Sequence, residues 1–434
     1  MNDLTAKVQK LFQRNLIRGV TKDNEFYTYI CPDLKKYPHQ FLWDSCFHII
    51  ANSHLNLEIA KAEFETIFKR QQNNGFLPHM NYWKENRSII DKVIQNFYKN
   101  KKISTLTQPP LVARALKAIY DREKNKDYLR QQIVGLEKYF DWIYKERVNM
   151  DNQIPLIEII HSWESGIDNS PIYDKILNIR GPLLTIKWIV RLITQLKVLK
   201  TCKWEMNCIR KENVFVYKDI LFNCVYIQGC RDLSYLFKEL NDLVKSKKFS
   251  ERAQYLEQLL LKECWHPENK IFLNRYGANN EWDTVIAVSS LIPLILDGLP
   301  LNLSTILVED HLLNEEEFWP EFPIPCVALN QPGFSEKGVL LWRGPTWINI
   351  NWLIINGLRK HGFENIALNL TEKTLSLIKK SGFREFYSPT SGKGMGAKNF
   401  GWSSLAIDLL YSKSNKNLDF IFMREYRHIK KGPL

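Results

Sequence analysis

Apolar residues recur at helical spacing along most of the chain. Leu57, Ala60, Phe64, Ile67 and Phe68 share one face of a helix, because residues three and four apart align at 3.6 residues per turn. Val8, Leu11, Phe12 and Leu16 do the same over residues 4–17. Further helices are expected at 111–120, 128–145, 183–199, 232–244, 249–261, 282–296, 305–312, 345–361, 363–380 and 402–411. Gly362 and Gly382 mark helix ends, Asn74-Gly75 closes the helix that begins near Leu57, and Pro345 opens another. Strand patterns are few, the best at 213–217, and no low-complexity linker divides the chain. The pattern predicts an all-α fold of paired helices forming one domain over residues 1–434, with loops gathered where successive hairpins join. Whether the helices close into a ring does not follow from the pattern.

Three stretches interrupt the helical pattern. Residues 384–396 set Glu385 between Phe383 and Tyr387, ahead of Gly392, Gly394 and Gly396, and read as a fixed loop holding a carboxylate. Residues 161–171 carry Trp163, Glu164 and Asp168 between Gly166 and Pro171. Residues 342–352 crowd Trp342, Arg343, Trp347, Asn349, Asn351 and Trp352 at a helix entry. Paired carboxyls among aromatic rings suit glycoside hydrolysis, which needs one protonated acid and one ionised base. Residue type alone leaves helix capping or turn formation as the simpler role for both acids. Arg and Asn beside Trp shift the balance, since their hydrogen bonds and flat apolar faces suit sugar hydroxyls and rings. Arg343 has an equal alternative as the partner of a buried acid.

Composition narrows the classes. With 434 residues, 45% of them hydrophobic, the chain can bury a large core, and 13 Trp fit binding of hydroxyl-rich ligands. The net charge of +13 is scattered, densest at 197–211, 245–248 and 424–431, without a nucleic-acid signature, so a solvated surface is favoured over a nucleic-acid partner. Eight cysteines form no CxxC pair and have no matching His cluster; reduced thiols, no metal and a cytoplasmic location are expected. The first residues lack a signal-peptide core, and the apolar run 285–296 is too short to span a membrane. Assembly into a homo-oligomer is left open.

Four motifs stand in a fixed order: residues 41–45 (Phe-Leu-Trp-Asp-Ser), 163–171, 342–352, and 383 through Phe400-Gly401-Trp402-Ser403-Ser404. Together they resemble glycoside hydrolase family 63, especially its short bacterial and plant members, the mannosylglycerate and glucosylglycerate hydrolases. The resemblance spans about residues 10–412 and is weak between 190 and 275. It implies an (α/α)6 barrel and hydrolysis of an α-glycosidic bond with inversion in a small glycoside, most plausibly mannosylglycerate or glucosylglycerate. Asp168 matches the general acid and Glu385 the general base. Trp43, Asp44, Gln108, Trp163, Trp347 and Trp402 match positions around the sugar, and Arg343, Asn351 and Tyr387 join the substrate-binding candidates. Neither a metal nor another cofactor is implied. Two positions depart from the pattern: Leu341 and Phe322 stand where Tyr is usual, which leaves the aglycone half of the substrate open. The rival readings are an α-glucosidase acting on another small oligosaccharide, a non-catalytic sugar-binding relative and a nucleic-acid binder.

Overall fold

The computed structural model describes residues 3–84, 88–181, 184–337 and 341–411; the basic run 424–431 and Leu183 lie outside them. In chain order the α-helices are α1 (Asp3–Asn15), α2 (Leu42–Asn52), α3 (Leu57–Phe68), α4 (Ile89–Gln95), α5 (Val112–Glu123), α6 (Lys126–Arg147), α7 (Leu184–Thr201), α8 (Met206–Glu212), α9 (Ile220–Glu239), α10 (Leu243–Glu263), α11 (Leu301–Ile306), α12 (Ile348–Lys360), α13 (Glu364–Ser381) and α14 (Ala406–Tyr411). Two 3-10 helices, Val288–Ile295 and Gly401–Leu405, complete the core.

Packing closes a ring. α2 lies on α5, α5 on α9, α9 on Val288–Ile295, that segment on α12, α12 on Gly401–Leu405, and Gly401–Leu405 back on α2. A second layer surrounds it: α3 on α2, α6 on α5 and α9, α10 on α9, Leu307–Leu312 on Val288–Ile295, α13 on α12, and α1 on Gly401–Leu405 and α14. Six inner and six outer elements make an (α/α)6 barrel. Burial follows the layers. All eleven residues of α2 are buried, whereas α10 buries only a stripe of Phe249, Ala253, Leu256, Glu257 and Leu260, as an outer helix facing water requires. The first helix fastens the end of the ring: Asn15 Nδ2 donates to the carbonyls of Pro32 (3.1 Å) and Asn399 (2.9 Å).

Side-chain caps start several helices. Asn56 accepts from Ile59 N–H, Asn125 from Asp127 and Tyr128 N–H, and Asp219 from Phe222 N–H, each satisfying a donor that has no partner within its helix.

Several expectations need correction. The helix from Leu57 ends at Phe68, and Gly75 instead turns the following loop at φ +98, pressed against the Lys138 carbonyl. The expected helix at 232–244 spans a real break: α9 ends at Glu239 and Asp242 caps α10. Residues 281–282 pair as a strand, and the 282–296 helix shrinks to the 3-10 turn around Pro293. Asn213 is a left-handed helix end, with the strand only at Tyr217–Lys218. Pro345 lies before α12, next to Thr346, which bridges Pro325 and Tyr387. Cys202 and Cys208 are bonded to each other; the other six cysteines are free and buried. No described helix is long and apolar enough to cross a membrane.

Candidate active site

The N-terminal ends of the inner helices and the loops entering them meet at one end of the ring. Trp43 and Asp44 occupy the first turn of α2, where Gln108, just ahead of α5, accepts from Trp43 N–H through Oε1 (3.3 Å). Asp168 lies in the loop between two short 3-10 turns, Ser162–Glu164 and Pro171–Tyr173, and is half-buried. Gly166 brings this loop onto Trp43: its φ is +78, and a Cβ there would sit 2.6 Å from Trp43 Cζ2.

Glu385 is not in a loop. It stands in the strand Arg384–Tyr387, paired with Gly394–Lys398, at the irregularity between the Arg384 and Phe386 registers. Such an irregularity re-aims a side chain. One of the three glycines is explained by the carboxylate: Gly396 has φ +65, and a Cβ there would lie 2.5 Å from Glu385 Oε2. Gly396→Ala is expected to displace that oxygen and lower kcat by about 10²-fold, with an unchanged circular dichroism spectrum; kcat within twofold of the parent would refute the steric argument.

Three donors converge on Glu385. Tyr37 OH donates to Oε1 (2.8 Å), Lys36 Nζ lies 3.0 Å from Oε2, and Ala397 N–H donates to Oε2 (2.7 Å). All are donors, the set an ionised carboxylate accepts. Lys36 and Tyr37 sit on a turn built by Asp33, whose Oδ1 accepts from Lys35 and Lys36 N–H. Sequence reasoning missed both; the only available signal was their place in the irregular aromatic stretch before Phe41.

Burial above all pushes the Tyr37 phenol far above its ordinary pKa, and three carboxyls add to the effect, Glu385 first, then Asp168 and Asp44. Burial raises the Asp168 carboxyl to about 6, with Glu385 adding repulsion and a Trp342 hydrogen bond opposing it. Burial also raises Asp44 to about 7, opposed by His48 and reinforced by Glu385.

The tryptophans form the floor. Trp342 and Trp347 stack with centroids 3.6 Å apart, Trp402 meets Trp347 edge-on at 5.4 Å, and Trp43 meets Trp402 at 6.2 Å. Trp402 Nε1 donates to the Glu385 carbonyl (3.2 Å). At 1–6% exposure, Trp43, Trp342, Trp347 and Trp402 are a packed floor more than open platforms. Trp163 is half-buried between His79 and His161.

Three expected substrate contacts turn out to be bonded internally. Arg343 forks onto Asp174 (Nη1 to Oδ2 2.7 Å), tying the Asp168 loop to the Trp342–Trp347 segment. Asn351 is fully buried; it accepts from Ile324 N–H and donates to the Pro323 carbonyl and Thr374 Oγ1. The buried Tyr387 hydroxyl donates to the Gly382 carbonyl (2.7 Å) and accepts from Arg384 N–H (3.0 Å). Apart from Arg343 Nε, the polar groups of these side chains are bonded within the fold, where the residues brace the site. Glu164 is likewise held by Arg147 in a buried fork of 2.7 and 2.8 Å. The segment around Phe322 is pinned by bonds from Phe322 N–H to the Pro389 carbonyl and from Thr346 Oγ1 to the Phe322 carbonyl, both 2.8 Å.

A closed ring of helical hairpins with carboxyls and tryptophans gathered at one end defines a helical-barrel glycoside hydrolase. Residues 37–403 match the family described as the mannosylglycerate hydrolase MGH1-like glycoside hydrolase domain, and the chain belongs to that family. It is 28% identical to a mannosylglycerate hydrolase of Thermus thermophilus, over 87% of this chain and 95% of that one. It is 22% identical to the glucosylglycerate hydrolase of Mycolicibacterium hassiacum, over 86% and 91%. The crystal structure of a GH63 mannosylglycerate hydrolase from Thermus thermophilus with Tris and D-glycerate superposes with a TM-score of 0.81 and 26% identity, covering 93% of this chain and 99% of that one. Yeast neutral trehalase shares the fold at a TM-score of 0.59 and 15% identity, covering 95% of this chain and 81% of that one.

Proposed function

We propose that this glycosidase cleaves the α-glycosidic bond of mannosylglycerate or glucosylglycerate with inversion, using Asp168 as general acid and Glu385 as general base. The observation that carries the reading is the unequal setting of the two carboxyls. Asp168 is raised to about 6, so it can hold a proton for the leaving oxygen. Glu385 is surrounded by donors, so its oxygens can accept a proton from water. An inverting enzyme needs room for that water, with carboxyls about 6.5–9.5 Å apart. Asp44, at the start of α2, is assigned to the sugar hydroxyls, with Gln108 fixing the backbone beside it. Both ends of the described chain contribute to the ring, which supports one catalytic domain over residues 1–434.

Incubation with mannosylglycerate, glucosylglycerate and trehalose, followed by proton NMR, tests the proposal. Hexose should appear from a glycerate glycoside as the inverted anomer; release from none of the three would overturn the substrate assignment. A second reading, a neutral α-glucoside, is favoured by one observation. Arg343, the arginine among the substrate-binding candidates, is engaged with Asp174.

The pH profile follows from Asp168. A general acid must be protonated, and its raised carboxyl keeps the proton below about 6 and loses it above. The alkaline limb of kcat/KM is therefore expected near pH 6, with a fall of about tenfold per unit beyond it. A rate flat from pH 6 to 8 would exclude Asp168 as the acid.

A further inference from the structure

A cleft of about 1010 Å³ lies beside the carboxylate site, between the segment after α3, the last turn of α6 and the turn joining α7 to α8. Neither Asp168 nor Glu385 lines it, nor does Tyr37, Trp43 or Asp44. Arg147, which lines the cleft, is forked onto buried Glu164, in the segment that leads to Asp168.

One wall is a covalently closed loop. Cys202 and Cys208 are bonded, and four of the five residues between them, Trp204 to Asn207, line the cleft. Lys203 and Trp204 both have left-handed backbone, at φ 51 and 64, a conformation that persists where its surroundings hold it. A cross-link over so short a loop supplies that hold by removing alternative conformations. Another wall carries the exposed amide of Asn73, and the half-buried ring of Trp142 is packed by Arg147, Tyr139 and Phe76.

The lining chemistry selects the ligand. Arg147 is committed to Glu164 and Arg210 to Glu158, which leaves Lys99 and Lys145 balanced by Glu146 and Glu205. Balanced charge disfavours a polyanion. Amides donate and accept at once, as hydroxyls do, and indole faces suit the apolar faces of sugar rings. The volume stands at the upper end of small-molecule sites, about 300–1,000 Å³.

We propose that this cleft is a second carbohydrate-binding site, taking a neutral oligosaccharide of about two or three rings against Trp204, with its wall held by the Cys202–Cys208 bond. The proposal is independent of the substrate assigned to the carboxylate site.

Calorimetric titration of the Glu385→Gln enzyme, used to prevent turnover, with maltotriose and with α-linked mannotriose tests it. At least one trisaccharide should bind saturably, with affinity about tenfold lower after Trp204→Ala and also lower in the Cys202→Ser/Cys208→Ser double variant. The exposed pair Asn73→Ala/Asn207→Ala cannot act by unfolding the core and should weaken binding as well. No binding of either sugar would overturn the proposal, as would an isotherm unchanged by the amide pair, which would place the sugar at the carboxylates. Unaltered affinity in the cysteine variant would overturn the role given to the disulfide.

Discussion

Asp168→Asn is expected to lower kcat by about 10³-fold, within the 10²–10⁴ that a positioned general acid supplies, and to leave KM within a few-fold. The amide has nearly the same shape, and the bond that ties the loop to α7 at this residue, from Trp188 Nε1 to the Asp168 carbonyl (3.3 Å), involves backbone. The fold and the sugar contacts therefore survive, and the lost function is the proton. That gives a sharper test than loss of rate alone. A 2,4-dinitrophenyl α-glycoside leaves without protonation, so on that substrate Asp168→Asn should cost far less than on the natural glycoside. The limb near pH 6 should also vanish, since the group that titrates there has gone. An equal loss on both substrates would show that Asp168 serves the site in some other way.

The difference between what pattern and packing each reveal is clearest in the inner ring. The start and the apolar face of α3 are legible because one face is wet and the other dry, although its end is not. α9 is buried on most of its surface over its first three turns, so no stripe marks its start, and the periodic signal is found only near its polar C-terminal end. That is why a helix expected at 232–244 straddles a break. Ring closure is a matter of contacts between segments hundreds of residues apart, for which periodicity carries no information.

The site divides along the same line. Motif order singles out Asp168 and Glu385; the structure bonds Glu385 to Tyr37, and both carboxyls act on that phenol electrostatically. Lys36 and Tyr37 escape notice because their meaning comes from a carboxylate some 350 residues away, and a Lys-Tyr pair in a turn has no pattern of its own. Arg343, Asn351 and Tyr387 pose the opposite problem. Their residue types suit a sugar and a buried network equally, and only their partners decide between the two. Glycine density was misleading for a further reason: it suggested a loop, whereas Gly396 lies in a paired strand to leave space for the carboxylate.

Glu385→Gln is expected to lower kcat by about 10²–10⁴-fold, and its signature should differ from that of Asp168→Asn. A glutamine amide cannot accept the proton from water, and its NH2 must face at least one of the donors Tyr37 OH, Lys36 Nζ or Ala397 N–H. The first effect removes the base and the second shifts what remains of the side chain. Because water activation is the step affected, a better leaving group does not bypass it, and the 2,4-dinitrophenyl glycoside should suffer as much as the natural one. Glu385→Asp keeps the charge but withdraws it by one methylene from the water, so it should lie between parent and glutamine. Measuring kcat for these variants on both substrates, with the product anomer read by proton NMR, separates the two carboxyls. If Glu385→Gln were rescued by the better leaving group and Asp168→Asn were not, the assignments would have to be exchanged. Three donors around Glu385 and a raised carboxyl at Asp168 argue for the order given, since a group surrounded by donors is poorly placed to offer a proton of its own.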